Sequence, residues 1–187
     1  MDVPPAMEAA VTSGHGGPEA IEVLRDWPTP RPGPAQALVK VTAAALNNTD
    51  IWSREGSYGT AADPGAVVGW RGVPLEFPLV QGIDICGEVV EVGSPADRHW
   101  LGRRVLVDPI IEYEDDAPSA IAGSEADGGF AQFHLCWSSQ LHHVSASSLT
   151  DSQLACLPCA YGTALGLSLI HLSEPTRRRD SSRMPTS

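Results

Sequence analysis

Basic residues are scarce in this 187-residue sequence, where 12 Lys and Arg stand against 23 Asp and Glu and give a formal net charge of −11. An acidic chain is repelled by nucleic-acid backbones and by anionic membrane surfaces, so we expect neither as a partner. No apolar run approaches the roughly 20 residues that a membrane-spanning helix needs, and the N-terminus lacks the basic-then-apolar layout of a secretion signal. These absences predict a cytoplasmic protein.

Cysteine is also sparse. The four cysteines are Cys86, Cys136, Cys156 and Cys159, and the last two have the C-x-x-C spacing found in some zinc and redox sites. A zinc knuckle needs a second close pair, which this sequence lacks. Small, buried and reduced thiols are therefore the favoured interpretation, with a metal or redox role for the C-x-x-C pair as the alternative.

The sequence does contain β-branched runs bounded by Gly and Pro, which predict strands. The runs are AAVTS, AIEVL, ALVKVTAAAL, ICGEVVEVG, RRVLVDP and GFAQFHLCW. They favour a mainly β domain with short helices, of the barrel or partly open barrel type. We expect a helix over residues 150–165, with Thr150 or Asp151 as its N-cap, and a short helical turn over residues 47–54.

Two connections, residues 59–78 and 109–129, are predicted to be long loops. Loops of this length are more often functional lids or flexible insertions than plain connectors. The second loop carries an acidic run, which we expect to be a solvated face.

The most informative motif is N-x-x-D-x-x-x-R-x-G-x-Y, formed by Asn47, Asp50, Arg54, Gly56 and Tyr58. It resembles the motif of quinone-oxidoreductase-like members of the medium-chain dehydrogenase/reductase superfamily. Further segments occur in the order that this family has: GHGGPEAIEV, PRPGPAQALVKVTAAAL, VQGIDICGEVVEVG, GRRV, DGGFAQF and LPCAYGTAL. The resemblance covers about residues 7–165 and implies a GroES-like, partly open β-barrel that forms the catalytic half of a two-domain enzyme.

The same resemblance implies that the protein works without zinc. In zinc-dependent alcohol dehydrogenases of this superfamily, a cysteine ligand stands at the position of Asn47 and a histidine ligand at that of Ile83. Only Cys159 matches a ligand position, and one donor cannot hold zinc in its four-coordinate site. The four-cysteine structural lobe is missing from residues 109–129 as well.

The resemblance also assigns roles at the site. Asn47 and Tyr58 are the candidate catalytic residues, since the amide can contact a substrate oxygen or the nicotinamide and the phenol offers a hydroxyl. Trp52 and Tyr58 are expected to form a flat wall of the substrate pocket. Capping of a helix by Asn47, and simple packing by the two aromatic residues, are the alternatives.

Asp50 and Arg54 are placed at the edge of the same pocket, where we expect them to pair and fix the turn. Thr163 is the second candidate cofactor contact beside Asn47, with helix packing as its alternative. His142 and His143 are adjacent, so on a strand they point to opposite faces and form no metal pair.

The expected cofactor is NADPH, bound by a Rossmann domain. Its Gly-rich turn between a strand and a helix has no counterpart here, because GHGGPEA leads into another strand. We therefore interpret the chain as an N-terminal fragment of an NAD(P)H-dependent oxidoreductase, inactive alone. Its substrate is expected to be a quinone, enone or carbonyl compound, and its full-length form a homodimer. A zinc alcohol dehydrogenase fragment and a non-enzymatic small-ligand binding module are the alternatives.

The expected organisation has three parts: a flexible N-terminus over residues 1–6, the catalytic domain over residues 7–166, and a disordered tail over residues 167–187. The tail carries four arginines against one Glu and one Asp, and its composition favours disorder. Its segment LSLIHLSEPTR is similar to the translation of a common transposon-type sequencing adapter. We interpret the tail as non-native, with a genuine basic tail as the alternative.

Overall fold

The computed structural model describes residues 2–63, 74–113 and 119–173, and for residues 170–173 the backbone alone. Parts of both predicted loops, with most of the acidic run, therefore lie outside the described residues, as does the predicted disordered tail from residue 174 onward.

Antiparallel strands dominate the described part of the chain. They are β1 Ala6–Thr12, β2 Ile21–Pro28, β3 Gln36–Ala45, β4 Leu79–Val80, β5 Asp84–Val92, β6 Arg104–Val107, β7 Ile110–Ile111, β8 Ala120–Ile121, β9 Phe133–Trp137 and β10 Leu141–His143. One sheet has the order β2-β1-β4, a second has the order β10-β6-β5-β3-β9, and β7 pairs with β8. These sheets are open, and together they form the mainly β, GroES-like fold that the sequence predicts.

The main apolar cluster lies on one face of the five-stranded sheet. Ala37 and Val39 of β3 pack there with Ile85 of β5 and with Val105 and Val107 of β6. The alternation of apolar residues in β3 puts every second side chain on this face. Burial of each Val or Ile side chain contributes about 1.5–3 kcal/mol, so the cluster fixes the register of the sheet that carries the site.

The six predicted strands are all present, which confirms the interpretation of the β-branched runs. The strands that the pattern did not predict are β4, β7, β8 and β10. They are two or three residues long, and a segment that short has no measurable period.

The helices are α1 Asn48–Arg54, α2 Asp151–Ala155 and α3 Gly162–Ser173, with a π-helical segment at Leu157–Tyr161. Thr150 is the N-cap of α2: its Oγ1 accepts from the Gln153 N–H at 3.3 Å, and Gln153 Oε1 accepts from the Thr150 N–H at 2.9 Å. The single helix predicted over residues 150–165 is therefore interrupted. Pro158, which has no N–H to donate, lies within the interruption.

Two features bear on the predicted boundaries. Within residues 2–6, Val3 packs with Met7 and Leu38 in the core, and its carbonyl accepts from Arg31 Nη2 at 2.9 Å. At the other end of the domain, α3 continues past residue 167 to Ser173. The apolar residues at the start of the tail favour this helical continuation.

Three glycines, Gly82, Gly123 and Gly128, form a contact that we name the glycine seam. Gly82 has φ +104 and Gly123 has φ +80, which L side chains rarely adopt. A Cβ on Gly128 would collide with the Gly82 carbonyl oxygen, and a Cβ on Gly82 would lie 2.7 Å from Phe130 Cδ1. The paired glycines of DGGFAQF thus let two backbones approach closely, directly before β5 begins.

Candidate active site

A cleft of about 610 Å³ opens beside α1, the β7–β8 hairpin and the start of α3. Asp50, Tyr58 and Thr163 line it, whereas Asn47, Trp52 and Arg54 lie outside its lining. Its other lining residues are Thr49, Ser53, Ile83, Asp108, Pro109, Ile110, Ile121, Ala122, Gly123, Ser124, Pro158, Cys159 and Gly162. The volume fits a small organic molecule.

Asn47 is the N-cap of α1, and this position agrees with the capping alternative. Its backbone N–H donates to Asp50 Oδ2 at 2.8 Å. Its side-chain Nδ2 donates to Asp84 Oδ2 at 3.0 Å. The side-chain amide is therefore engaged within the protein, and Asn47 and Asp50 form a capping box at the start of α1.

Asp50 fastens α1 to the segment before β5. Its Oδ1 accepts from the Gly82 N–H at 3.3 Å, and its carbonyl accepts from Gln81 Nε2 at 2.9 Å. The residue is 4% exposed. Burial raises the pKa of Asp50, and the charge of Asp84 adds to the rise, while the backbone N–H donors oppose it.

Arg54 lies at the C-terminal end of α1 and binds the β1–β2 connection. Its Nε donates to the Gly16 carbonyl at 3.1 Å, and its ion-pair partner within the described residues is Glu55, at 3.7 Å. The pairing of Asp50 with Arg54 that the sequence predicted is therefore not what the structure gives. Asp50 turns back toward the N-terminus of the helix, where backbone N–H groups need an acceptor, and the Arg54 side chain, which is also buried, contacts the β1–β2 connection.

The two aromatic candidates contact each other. Trp52 and Tyr58 lie edge to face, with ring centroids 6.2 Å apart and an interplanar angle of 80°, a favourable geometry for two aromatic rings. They are 47% and 41% exposed. Tyr58 is the member of the pair that faces the cleft, with Trp52 behind it.

Asp84 is the buried centre of the site, with 1% of its surface exposed. In addition to the Asn47 amide on Oδ2, it accepts the Cys159 backbone N–H on Oδ1 at 2.7 Å. Burial raises the pKa of Asp84, and these two hydrogen bonds oppose the rise. Burial also raises the pKa of the Cys159 thiol, and the charges of Asp84 and Asp50 raise it further.

Sequence reasoning missed several polar residues of the cleft. Thr49 and Ser53 line it from α1, and Asp108 lines it after β6. Thr49 and Ser53 are four residues apart, so they share one face of a helix, a signal that was present in the sequence. No local sequence pattern predicted that Asp108 lies in the cleft. His142, on β10, lies 4.0 Å from the Asp108 carboxylate through its Nε2.

The residues at the metal-ligand positions do not fit zinc. Asn47 offers an amide that is already hydrogen-bonded, Ile83 offers no donor atom, and Cys159 alone offers a thiol. Zinc in proteins takes thiolate, imidazole and carboxylate donors. Across the described ranges, no three His, Cys, Asp or Glu side chains come together in a way that could hold a metal ion.

Residues 33–146 match the family described as "Alcohol dehydrogenase GroES-like domain". The chain belongs to this family. The match confirms the predicted GroES-like domain and its place in the medium-chain dehydrogenase/reductase superfamily.

Known proteins of several activities are similar to this GroES-like chain. The NADPH-dependent alkenal/one oxidoreductase of Arabidopsis thaliana chloroplasts is 28% identical over 87% of this chain and 37% of its own length. A zinc-type alcohol dehydrogenase-like protein of Schizosaccharomyces pombe is 29% identical over 70% of this chain and 35% of its own length.

A solved structure from Sinorhizobium meliloti, described as a candidate alcohol dehydrogenase, has a TM-score of 0.76 and 44% identity, covering 85% of this chain and 45% of that protein. The GroES-like chain thus spans less than half the length of these relatives.

Within its described residues, no helix has the length and apolarity to cross a membrane.

Proposed function

We propose that this chain is the substrate-binding half of a zinc-independent, NAD(P)H-dependent oxidoreductase that reduces enones or quinones. The observation that carries the proposal is the donor set beside the cleft. Asn47 and Ile83 stand at two metal-ligand positions, and the Asn47 amide is held by Asp84 at 3.0 Å. This arrangement supports chemistry that depends on hydrogen bonds instead of a Lewis acid.

Reduction of a conjugated carbonyl suits such a site. Oxidation of a simple alcohol is helped by an ion that lowers the pKa of the alcohol. Reduction of an enone needs mainly a donor at the oxygen where negative charge develops. Tyr58 and Thr49 both line the cleft and carry hydroxyl groups, so either can bind and orient that oxygen. Bound NAD(P)H would supply the hydride.

The cofactor is expected to lie on a further domain of the full-length protein. Thr163 lines the cleft at the start of α3, where it can approach a nicotinamide ring. Tyr161 and Leu165, which precede the tail, are each more than half exposed beside it. An apolar face of this kind is consistent with docking of the cofactor domain. The full-length protein remains predicted to be a homodimer.

A zinc alcohol dehydrogenase is the second candidate, and the similarity to the zinc-type protein of Schizosaccharomyces pombe favours it. A non-enzymatic small-ligand binding module is the third, since a fold does not fix a function. The cleft of about 610 Å³ would serve either one.

The decisive experiment uses the full-length protein expressed from its native locus. We expect no stoichiometric zinc by elemental analysis, and NADPH-dependent reduction of an enone or quinone. Tyr58→Phe should lower kcat by about 100-fold, the effect of losing one donor to a developing oxyanion, with a smaller change in KM. Trp52→Phe, the matched control, keeps the aromatic contact and should change kcat little.

Other outcomes select the other candidates. One zinc ion per chain together with alcohol oxidation would establish the zinc enzyme. A native gene whose product has no nucleotide-binding half, and which binds small ligands without turnover, would establish the binding module.

A further inference from the structure

Asp84 makes one contact with each side of the site. Its Oδ2 accepts from Asn47 Nδ2 at 3.0 Å, and its Oδ1 accepts from the Cys159 N–H at 2.7 Å. The three residues are far apart in sequence, and Asp84 is 1% exposed. A single buried carboxylate therefore joins the start of α1 to the π-helical segment.

Positions 47 and 159 are the ones that carry two cysteine ligands in zinc-dependent members of the superfamily, where one ion holds both. We propose that Asp84 takes over this cross-linking in the present chain and holds the two segments against each other without a metal. The inference rests on the proposed zinc independence, and it names Asp84 as a positioning residue.

The cross-link sets the width of the cleft. Thr49 and Ser53 line the cleft from α1, and Pro158, Cys159 and Thr163 line it from the other segment. Asp84 ties these two sets of lining residues together. Since an ionised carboxylate only accepts hydrogen bonds, it also fixes the Asn47 amide with its Nδ2 toward Asp84.

The cross-link also positions Cys159. Asp84 Oδ1 holds its backbone N–H at 2.7 Å, and its partly buried side chain lines the cleft. Loss of the cross-link would let the π-helical segment move away from α1 and would expose the Cys159 side chain.

Alkylation of the chain by N-ethylmaleimide tests the proposal, with each cysteine followed by peptide mass spectrometry. Exposed Cys156 is the internal standard, and buried Cys86 and Cys136 report unfolding. Asp84→Asn cannot accept from both donors, so the cross-link is broken on one side, and the partly buried Cys159 should become more accessible and react about three- to tenfold faster relative to Cys156. Asp84→Glu should restore most of the protection.

Asn47→Ala distinguishes loss of the cross-link from loss of the charge. It removes one of the two hydrogen bonds and keeps the Asp84 carboxylate, so Cys159 should again react at least about threefold faster relative to Cys156. An unchanged ratio of Cys159 to Cys156 in folded Asp84→Asn or folded Asn47→Ala would overturn the proposal. If Cys86 and Cys136 also become reactive in Asp84→Asn, that variant is unfolded and Asn47→Ala decides the matter, with the same two outcomes.

Maleimide reacts without cofactor or substrate, so this result is independent of the proposed reaction. An accelerated Cys159 in a full-length protein that reduces no enone would support the cross-link and reject the function. Protection that is unchanged in Asp84→Asn, in a protein that does reduce enones, would reject the cross-link alone.

Discussion

The side-chain amide of Asn47 donates a hydrogen bond to the carboxylate of Asp84 across 37 positions of the chain. This contact connects the cap of a short helix to the first residue of a central strand. It places a neutral amide and a buried acid where zinc-dependent relatives have a metal ligand and its surroundings. The four predictions below concern this contact and the elements that support it.

Restoring two donors should create a zinc site. In Asn47→Cys combined with Ile83→His, Cys159 becomes the third of three protein donors, the number that a catalytic zinc site uses beside its open position. We expect about one zinc per chain by elemental analysis, against none for the parent. Asn47→Ser with Ile83→Leu is the matched control and should bind none. Failure of the first variant to bind zinc would show that the positions do not converge.

The glycine seam should not accept a side chain. Gly82→Ala forces an L residue into φ +104 and places its Cβ 2.7 Å from Phe130 Cδ1. We expect the free energy of unfolding to fall by more than about 2 kcal/mol, from backbone strain and overpacking together. Gly14→Ala has nothing within 4 Å of the added Cβ and should change stability little. Urea denaturation of both variants measures the difference.

Arg104 should stabilise the base of α2. Its Nε donates to Asp151 Oδ1 at 2.6 Å, and its Nη2 donates to the Leu149 carbonyl at 2.7 Å. Arg104→Met keeps the aliphatic stem and should lower the free energy of unfolding by about 1–3 kcal/mol, the range for charge-assisted hydrogen bonds. Arg25→Met removes the exposed pair with Glu8 and is the control, with little change expected. Equal losses in both variants would contradict the assignment.

His134 should make stability depend on pH. The residue is 3% exposed, and burial lowers the pKa of its imidazole from 6.5 to about 4. Between pH 6.5 and pH 4, His134 binds a proton in the unfolded chain and stays neutral in the folded chain. Protonation therefore favours the unfolded chain in this range. The free energy of unfolding is unaffected by His134 above pH 6.5 and falls as the pH drops from 6.5 toward 4.

In His134→Leu, the loss of stability between pH 7 and pH 4.5 should be smaller than in the parent by about 2.4 kcal/mol, since the window from pH 6.5 to 4.5 covers two pH units at about 1.4 kcal/mol each, less the incomplete titration at its ends. Unfolding in urea at both pH values measures this difference. The exposed His99 provides the control through His99→Leu. Parallel pH dependence in His134→Leu and the parent would contradict the prediction.

Much of the fold could be predicted because its signals are local. The β-branched runs ALVKVTAAAL and ICGEVVEVG predicted β3 and β5, and Thr150 as a candidate N-cap predicted the start of α2. Two-residue strands such as β4 could not be predicted, because their pairing depends on strands that are distant in the sequence. The extension of α3 past residue 167 was not predicted. The prediction for the tail was based on its charge composition and not on the helical tendency of the first residues of the tail.

The site was predictable in part. Asn47, Asp50 and Tyr58 were identified from one motif because α1 and its following turn bring them together. The contacts of Asp84 with Asn47 and with Cys159 were not, since they depend on the packing of β5 and the π-helical segment. The pairing of Asp50 with Arg54 was wrong because backbone N–H groups bind the Asp50 carboxylate instead: that of Asn47 at the start of α1, and that of Gly82 from a different part of the chain.

The glycine seam has a consequence for how such a protein can diversify. The contacts among Gly82, Gly123 and Gly128 join main-chain atoms, so they contain no side chain that a substitution in the cleft wall could displace. Positions such as Ile110 and Ile121, which belong to the cleft but not to the seam, can change in size and polarity without entering these contacts. New substrate preferences can then arise by exchange of wall residues while the underlying geometry is inherited unaltered.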